Sequence, residues 1–96
     1  MSAVLTIVAK IQAEPGWELE VEQALLAAVD PTLAEDGCLQ YDLHRDLNQP
    51  GLFLYYENWA SRSQWEAHMR SAHLAAMKKA TEGKVVETVI WEMEHV

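Results

Sequence analysis

The eighteen residues from Tyr56 to His73, YENWASRSQWEAHMRSAH, gather two tryptophans, two histidines and two carboxylates, Glu57 and Glu66. Imidazoles and a carboxylate beside aromatic rings suit proton transfer in a dry slot that grips a flat substrate. Glu57 lies in LFLYYENW (52–59), where period-two alternation puts it on one face with Phe53, Tyr55 and Trp59. A carboxyl in such company is costly unless it is paired or hydrogen-bonded. It is expected either to form an ion pair with Arg45 or Arg62, or to orient or charge a histidine. Read as one continuous helix, the next stretch sets Trp65, Met69, Ala72 and Ala76 in an arc of about 140° flanked by His68 and His73. If that arc faces a sheet, its alanines leave an apolar cavity with an imidazole on each side. The bland alternative is a core stripe with two boundary histidines. The candidate catalytic residues are therefore His68, His73 and Glu57, with Tyr41, Trp59, Trp65 and Met69 as the substrate-binding walls.

Other chemistries find little footing. His68 and His73 are five apart, a spacing that does not stack two ligands on one helical face, and neither HExxH nor CxxC occurs, so no metal site is expected. No glycine-rich loop offers a phosphate or dinucleotide cradle. Cys38 is the single cysteine. It excludes an intrachain disulfide, fits a reducing cytoplasm, and at a strand start reads as packing rather than nucleophile. A formal charge of −8 argues against nucleic acid and anionic membrane as partners. No signal-like segment or long apolar run is present. A soluble, cytoplasmic chain is expected.

The elements that must position these groups follow from the same periodicities. Ninety-six residues suffice for one domain, 1–96. In AVLTIVAKIQA (3–13), Leu5, Ile7, Ala9 and Ile11 share a strand face opposite Thr6, Val8, Lys10 and Gln12. Pro15 is placed for the first turn of a helix whose stripe is Trp17, Val21, Ala24, Leu25, Ala28 and Val29. Asp30-Pro31 caps and restarts it, and Gly37 ends it. CLQYDLHRD (38–46) alternates with Leu39, Tyr41 and Leu43 on one face, and a turn at LNQPG joins it to 52–59 as a hairpin. Ser61 and Gln64 form a capping box that starts a second helix at Arg62, and Gly83 ends it. The last strand reads with Val85, Val89, Trp91 and Met93 on one face and Val86 and Ile90 on the other. The order β-α-β-β-α-β is that of an α+β ferredoxin-like domain: a four-stranded antiparallel sheet with helices on one face. Two helices cover only one face, and the other also carries apolar residues, so a homodimer is expected.

The stretch EDGCLQYDLHRDLNQPGLFLYYENWASRSQWEAHMRSAH (35–73) resembles the antibiotic biosynthesis monooxygenase (ABM) domain family, which includes quinol monooxygenases. The matching positions are Gly37, Cys38, Tyr41, Phe53, Glu57, Trp59, Ser61, His68, Ser71 and His73, with Ala13, Pro15 and Gly16 after the first strand. Asn48 stands one residue further from Pro50 than the family's adjacent Asn-Pro. The resemblance implies a dimeric α+β barrel, two ferredoxin-like subunits with sheets face to face. Its activities include cofactor-free oxidation of phenols and quinols, and isomerisation of a phosphorylated sugar. Haem-degrading relatives carry an asparagine on the first strand and a histidine late in the second helix; this chain has Thr6, Val8 and Lys10, then Met77 to Lys79. The expected function is thus cofactor-independent oxidation of a small aromatic quinol or phenol by O₂, with a histidine base. The alternatives are an isomerase or a dimeric ligand-binding module using the same pocket.

Overall fold

The alternation of Ile7, Ala9, Ile11 and Ala13, all buried, makes the first strand, β1 (Leu5–Ala13), the middle of the sheet. The computed structural model describes residues 4–96. β1 pairs antiparallel with β3 (Leu52–Trp59) on one side and β4 (Val85–Met93) on the other, and β2 (Cys38–Arg45) pairs with β3. The strand order β2-β3-β1-β4 is that of a ferredoxin-like sheet. Two helical crossovers lie on one face. The first is α1 (Glu18–Ala27) followed by α2 (Val29–Leu33); the second is α3 (Arg62–Met69) followed by α4 (Ala72–Ala80). Phe53, Tyr55 and Trp59 meet Val21, Leu25 and Trp65 in the core between sheet and helices. Losing one such ring, as in Phe53→Ala, costs about 3–5 kcal/mol in a packed interior.

Several local expectations hold for the stated reason. Ser61 is the N-cap of α3, accepting from the Gln64 amide at 3.3 Å, while its hydroxyl lies 3.0 Å from Gln64 Oε1. Phe53, Tyr55, Glu57 and Trp59 all point into the core. Gly37 has φ +82°, and a Cβ there would come within 2.8 Å of Gln64 Cβ, so the turn before β2 requires glycine.

Four expectations fail, each for a local reason. A register shift between Cys38 and Gln40 turns Leu39 outward, leaving it exposed while Cys38 packs on the core. A second shift at Gln12/Ala13 puts Val86 out of register, so Val85 packs on the core face and Val89, Trp91 and Met93 lie on the other. Trp17 is exposed at the N-terminus of α1, under the Lys84 amine at 4.8 Å, and Pro15 sits in the turn ahead of that helix. The second crossover is not one helix. Ser71 adopts an extended ψ of 155° and caps a new helix by accepting from the Leu74 amide. Ala72 and Ala76 consequently face outward, and Leu74 and Met77 face the sheet instead.

The helix-free face is mixed. Val8 pairs across both neighbours with Tyr56 and Trp91, and Tyr56, Trp91 and Met93 are 38%, 39% and 45% exposed. Beside them runs a polar chain, in which Thr6 donates to Asn58, Asn58 to Gln40 and Gln40 to Asp42. Lys10 pairs with Glu87 at 3.0 Å. No helix among the described residues is long and apolar enough to cross a membrane.

Candidate active site

A cavity of about 270 Å³ lies between the sheet and the second crossover, near the lower end of the ~300–1,000 Å³ usual for ligand sites. Its floor is Ile7, Ala9 and Ile11 of β1, and its inner end holds Tyr41, Glu57 and His68. The antiparallel register fixes its direction. Glu57 stands opposite Ile7, Thr88 opposite Ile11, and Val85 opposite Ala13. The cavity therefore runs some ~13 Å along β1 from the Glu57 end to Thr88. There Lys78 and Thr88, both exposed, mark its open mouth.

Glu57 is 3% exposed and its Oε1 accepts the Trp59 indole N–H at 2.9 Å. Burial pushes its carboxyl up to about 7, helped by the charge of Glu35 and opposed by the Trp59 hydrogen bond. Neither expected arginine reaches it. Arg45, exposed at the end of β2, pairs with Glu22 at 2.8 Å, and Arg62, exposed at the start of α3, pairs with Glu92 at 2.6 Å. Nor does Glu57 hydrogen-bond a histidine.

That task falls to Glu35, which periodicity did not single out. It follows α2 in the turn held by the Cys38 amide on its carbonyl and by Gly37. Its Oε2 lies 2.6 Å from His68 Nδ1 and 2.8 Å from His73 Nε2. An ionised carboxylate only accepts, so each of these ring nitrogens is the protonated one. His68 therefore carries its lone pair on Nε2, which has no hydrogen-bond partner among the described residues. The ring is 1% exposed and fixed by Trp59 at 4.8 Å and by Tyr41 edge-on at 5.4 Å. Burial lowers its pKa, against the hydrogen bond and charge of Glu35, and His73 lowers it further. The only hint of Glu35 in the sequence is an acid two residues before a glycine turn.

Of the sequence-predicted residues, His68, Glu57, Tyr41, Trp65 and Met69 border the cavity together. His73 does not; it lies beyond Glu35 and is half-buried. Trp59 is a correction of another kind. It is fully buried behind His68 as the donor to Glu57, and forms no wall. Tyr55 takes part instead, its ring 4.6 Å from that of Tyr41 and its hydroxyl donating to the Leu25 carbonyl. Burial raises both phenols well above their ordinary range, so they serve as neutral walls. Cys38 is raised by burial and by the charges of Glu35 and Glu57, which keeps it a thiol and supports its packing role.

The arrangement is matched in known proteins. Residues 4–80 fit the family model described as Antibiotic biosynthesis monooxygenase. The chain belongs to the antibiotic biosynthesis monooxygenase family. Among its relatives, the Probable quinol monooxygenase YgiN of Escherichia coli (strain K12) is 32% identical over 96 residues, covering 88% of this chain and 90% of that one. The crystal structure of PA3566 from Pseudomonas aeruginosa superposes with a TM-score of 0.95 at 35% identity, covering 100% of this chain and 97% of the other. That of Rv0793 from Mycobacterium tuberculosis gives 0.89 at 22% identity, covering 97% and 95%, which is a likeness of fold. In this antibiotic biosynthesis monooxygenase chain, Glu57 and His68 lie together at the sheltered end of an apolar slot.

Proposed function

We propose that the chain is a cofactor-independent oxygenase or oxidase of a small aromatic quinol or phenol. The observation that carries this reading is the inner end of the cavity, where Glu57 and the Glu35-clamped His68 meet an otherwise apolar, aromatic-walled slot. A phenol entering hydroxyl-first gives its proton to Glu57 or to His68 Nε2. The phenolate then passes one electron to O₂, giving superoxide and an aryloxyl radical. With a quinol, a second electron and proton follow, and the products are quinone and hydrogen peroxide. With an anthrone-like substrate, the carbon radical and superoxide combine, and the hydroperoxide loses water to leave a new carbonyl. The substrate supplies every electron in both cases.

The energetics support a two-group site. An ordinary histidine facing a phenol near pKa 10 is mismatched by about 3.5 pH units, or roughly 5 kcal/mol, and burial of His68 widens that gap. A carboxyl already raised to about 7 narrows that gap relative to an ordinary glutamate, and the dry surroundings strengthen the hydrogen bond that holds the phenolate. The test is oxygen uptake by protein whose flavin, haem and metal contents are measured in the same sample, with an autoxidation blank subtracted. A naphthoquinol or an anthrone is expected to be consumed without additions. Uptake that appears only after flavin or iron is added refutes the cofactor-free mechanism. No uptake over a panel of quinols transfers the site to the isomerase or ligand-binding reading, for which Lys78 at the mouth is the one supporting feature.

A homodimer belongs to the same proposal. Val8, Tyr56, Trp91 and Met93 form an apolar strip on the helix-free face that a second copy's sheet would cover. A reducing cytoplasm suits the free Cys38.

A further inference from the structure

We propose that Glu35, His68 and His73 form a binding site for a divalent transition-metal ion of the zinc class. Three donor atoms, Glu35 Oε2, His68 Nδ1 and His73 Nε2, lie within 4.8 Å of one another although their residues are 33 and 38 positions apart in the chain. Two imidazoles and one carboxylate, with a fourth position left to water, are an established zinc-binding set. A continuous helix would splay the two histidines by about 140°, five steps at 100° each. The break at Arg70-Ser71 removes that obstacle, one of the two grounds for expecting no metal site, the other being the lack of HExxH and CxxC motifs.

The geometry needs a local adjustment, chiefly a swing of the more exposed His73 ring, because the donor atoms span up to 4.8 Å. Tetrahedral zinc, with bonds of about 2.0–2.1 Å, wants its ligands ~3.3 Å apart. The two nitrogen-to-oxygen separations are 2.6 and 2.8 Å, so the carboxylate must withdraw by roughly half an ångström as the nitrogens close on the ion. The Glu35 and His73 side chains are 17% and 23% exposed, which gives an ion a way in, whereas His68 at 2% is held rigid by Trp59 and Tyr41. Packing of that kind orients a ligand ring before the ion arrives. Binding has a chemical consequence at the neighbouring cavity. A neutral imidazole that ligates through Nδ1 must carry its proton on Nε2, so the bound ion removes the lone pair that the oxygenase reading assigns to His68. That consequence rests on the oxygenase reading; metal binding does not.

The experiment is a Zn²⁺ titration of the purified chain by calorimetry, alongside ¹⁵N spectra of the histidine rings. One ion per chain is expected, with His68 passing from the Nδ1–H to the Nε2–H form and His73 passing the other way. Glu35→Gln and His73→Ala are each expected to weaken binding at least as much as the ~100-fold that loss of an outer-shell partner can cause. His44→Ala and His95→Ala, at exposed positions away from the cluster, leave it unchanged. Circular dichroism checks that each variant folds, and the ring spectra of the unaltered protein stand without any variant. Unchanged tautomers on zinc addition, or undiminished affinity in folded His73→Ala, would overturn the proposal and assign the ion to surface histidines. Neither readout depends on turnover, so a chain that binds zinc but, assayed free of metal, consumes no oxygen refutes the oxygenase reading alone.

Discussion

Replacing Glu57 with glutamine isolates the cost of the buried carboxylate. Raising this carboxyl from 4.5 in an open chain to about 7 in the fold means that the folded state holds its proton more tightly. The stability linked to that proton is fully present below pH 4.5, falls as pH rises, and is lost above about 7. At ~1.4 kcal/mol per pH unit the whole effect is about 3 kcal/mol, of which about 2 kcal/mol falls between pH 5.5 and 8. Both conditions stay clear of the isoelectric point near 4.8. Glutamine keeps an oxygen to accept the Trp59 indole N–H and never ionises. Urea unfolding of both proteins at the two pH values is the assay, and the quantity is the change in the variant-minus-wild-type difference, which cancels the other titrating groups. Glutamine should gain about 2 kcal/mol on wild type between pH 5.5 and 8, a large part of the 5–15 kcal/mol typical of a domain. A difference constant to within ~0.5 kcal/mol, near the resolution of the method, would refute the claim that Glu57 is a desolvated carboxyl.

Further outcomes follow from the same geometry. Glu57→Gln and His68→Asn should each lower oxygen uptake by roughly 10²–10⁴-fold, the usual worth of a general base, and His73→Ala by less because that ring does not border the cavity. Uptake above the blank should rise with pH through about 7 as Glu57 ionises, and Glu57→Gln should flatten that rise. Gly37→Ala must hold a left-handed φ of +82° and displace Gln64, so it should cost at least ~1–2 kcal/mol by thermal unfolding and loosen Glu35. Sedimentation of the 10.9 kDa chain at micromolar concentration should report about 22 kDa, with Trp91→Glu shifting it to monomer; a stable wild-type monomer would exclude the barrel dimer.

By itself, the sequence determined the order of strands and helical crossovers, the antiparallel ferredoxin-like sheet and the core faces of β1 and β3. These depend on local periodicity and on turn chemistry, which a chain carries in neighbouring positions. It placed Glu57 in the core, because period two along β3 leaves no other face for it, and it brought His68 to the sheet because α3 begins at a legible cap. The two register shifts, at Leu39 and Val86, were decided by how adjoining strands fit, and each turned one residue to the opposite face. The break at Ser71 was half legible, since serine is a good N-cap, yet an unbroken apolar stripe is equally consistent with those letters. Tertiary structure alone decided that His68 and His73 share an oxygen of Glu35. That carboxylate reaches them from a turn over thirty residues upstream, and no spacing within either helix encodes the meeting. Periodicity reports which way a side chain faces; only the placement of the turn after α2 beside α3 and α4 fixes what it faces.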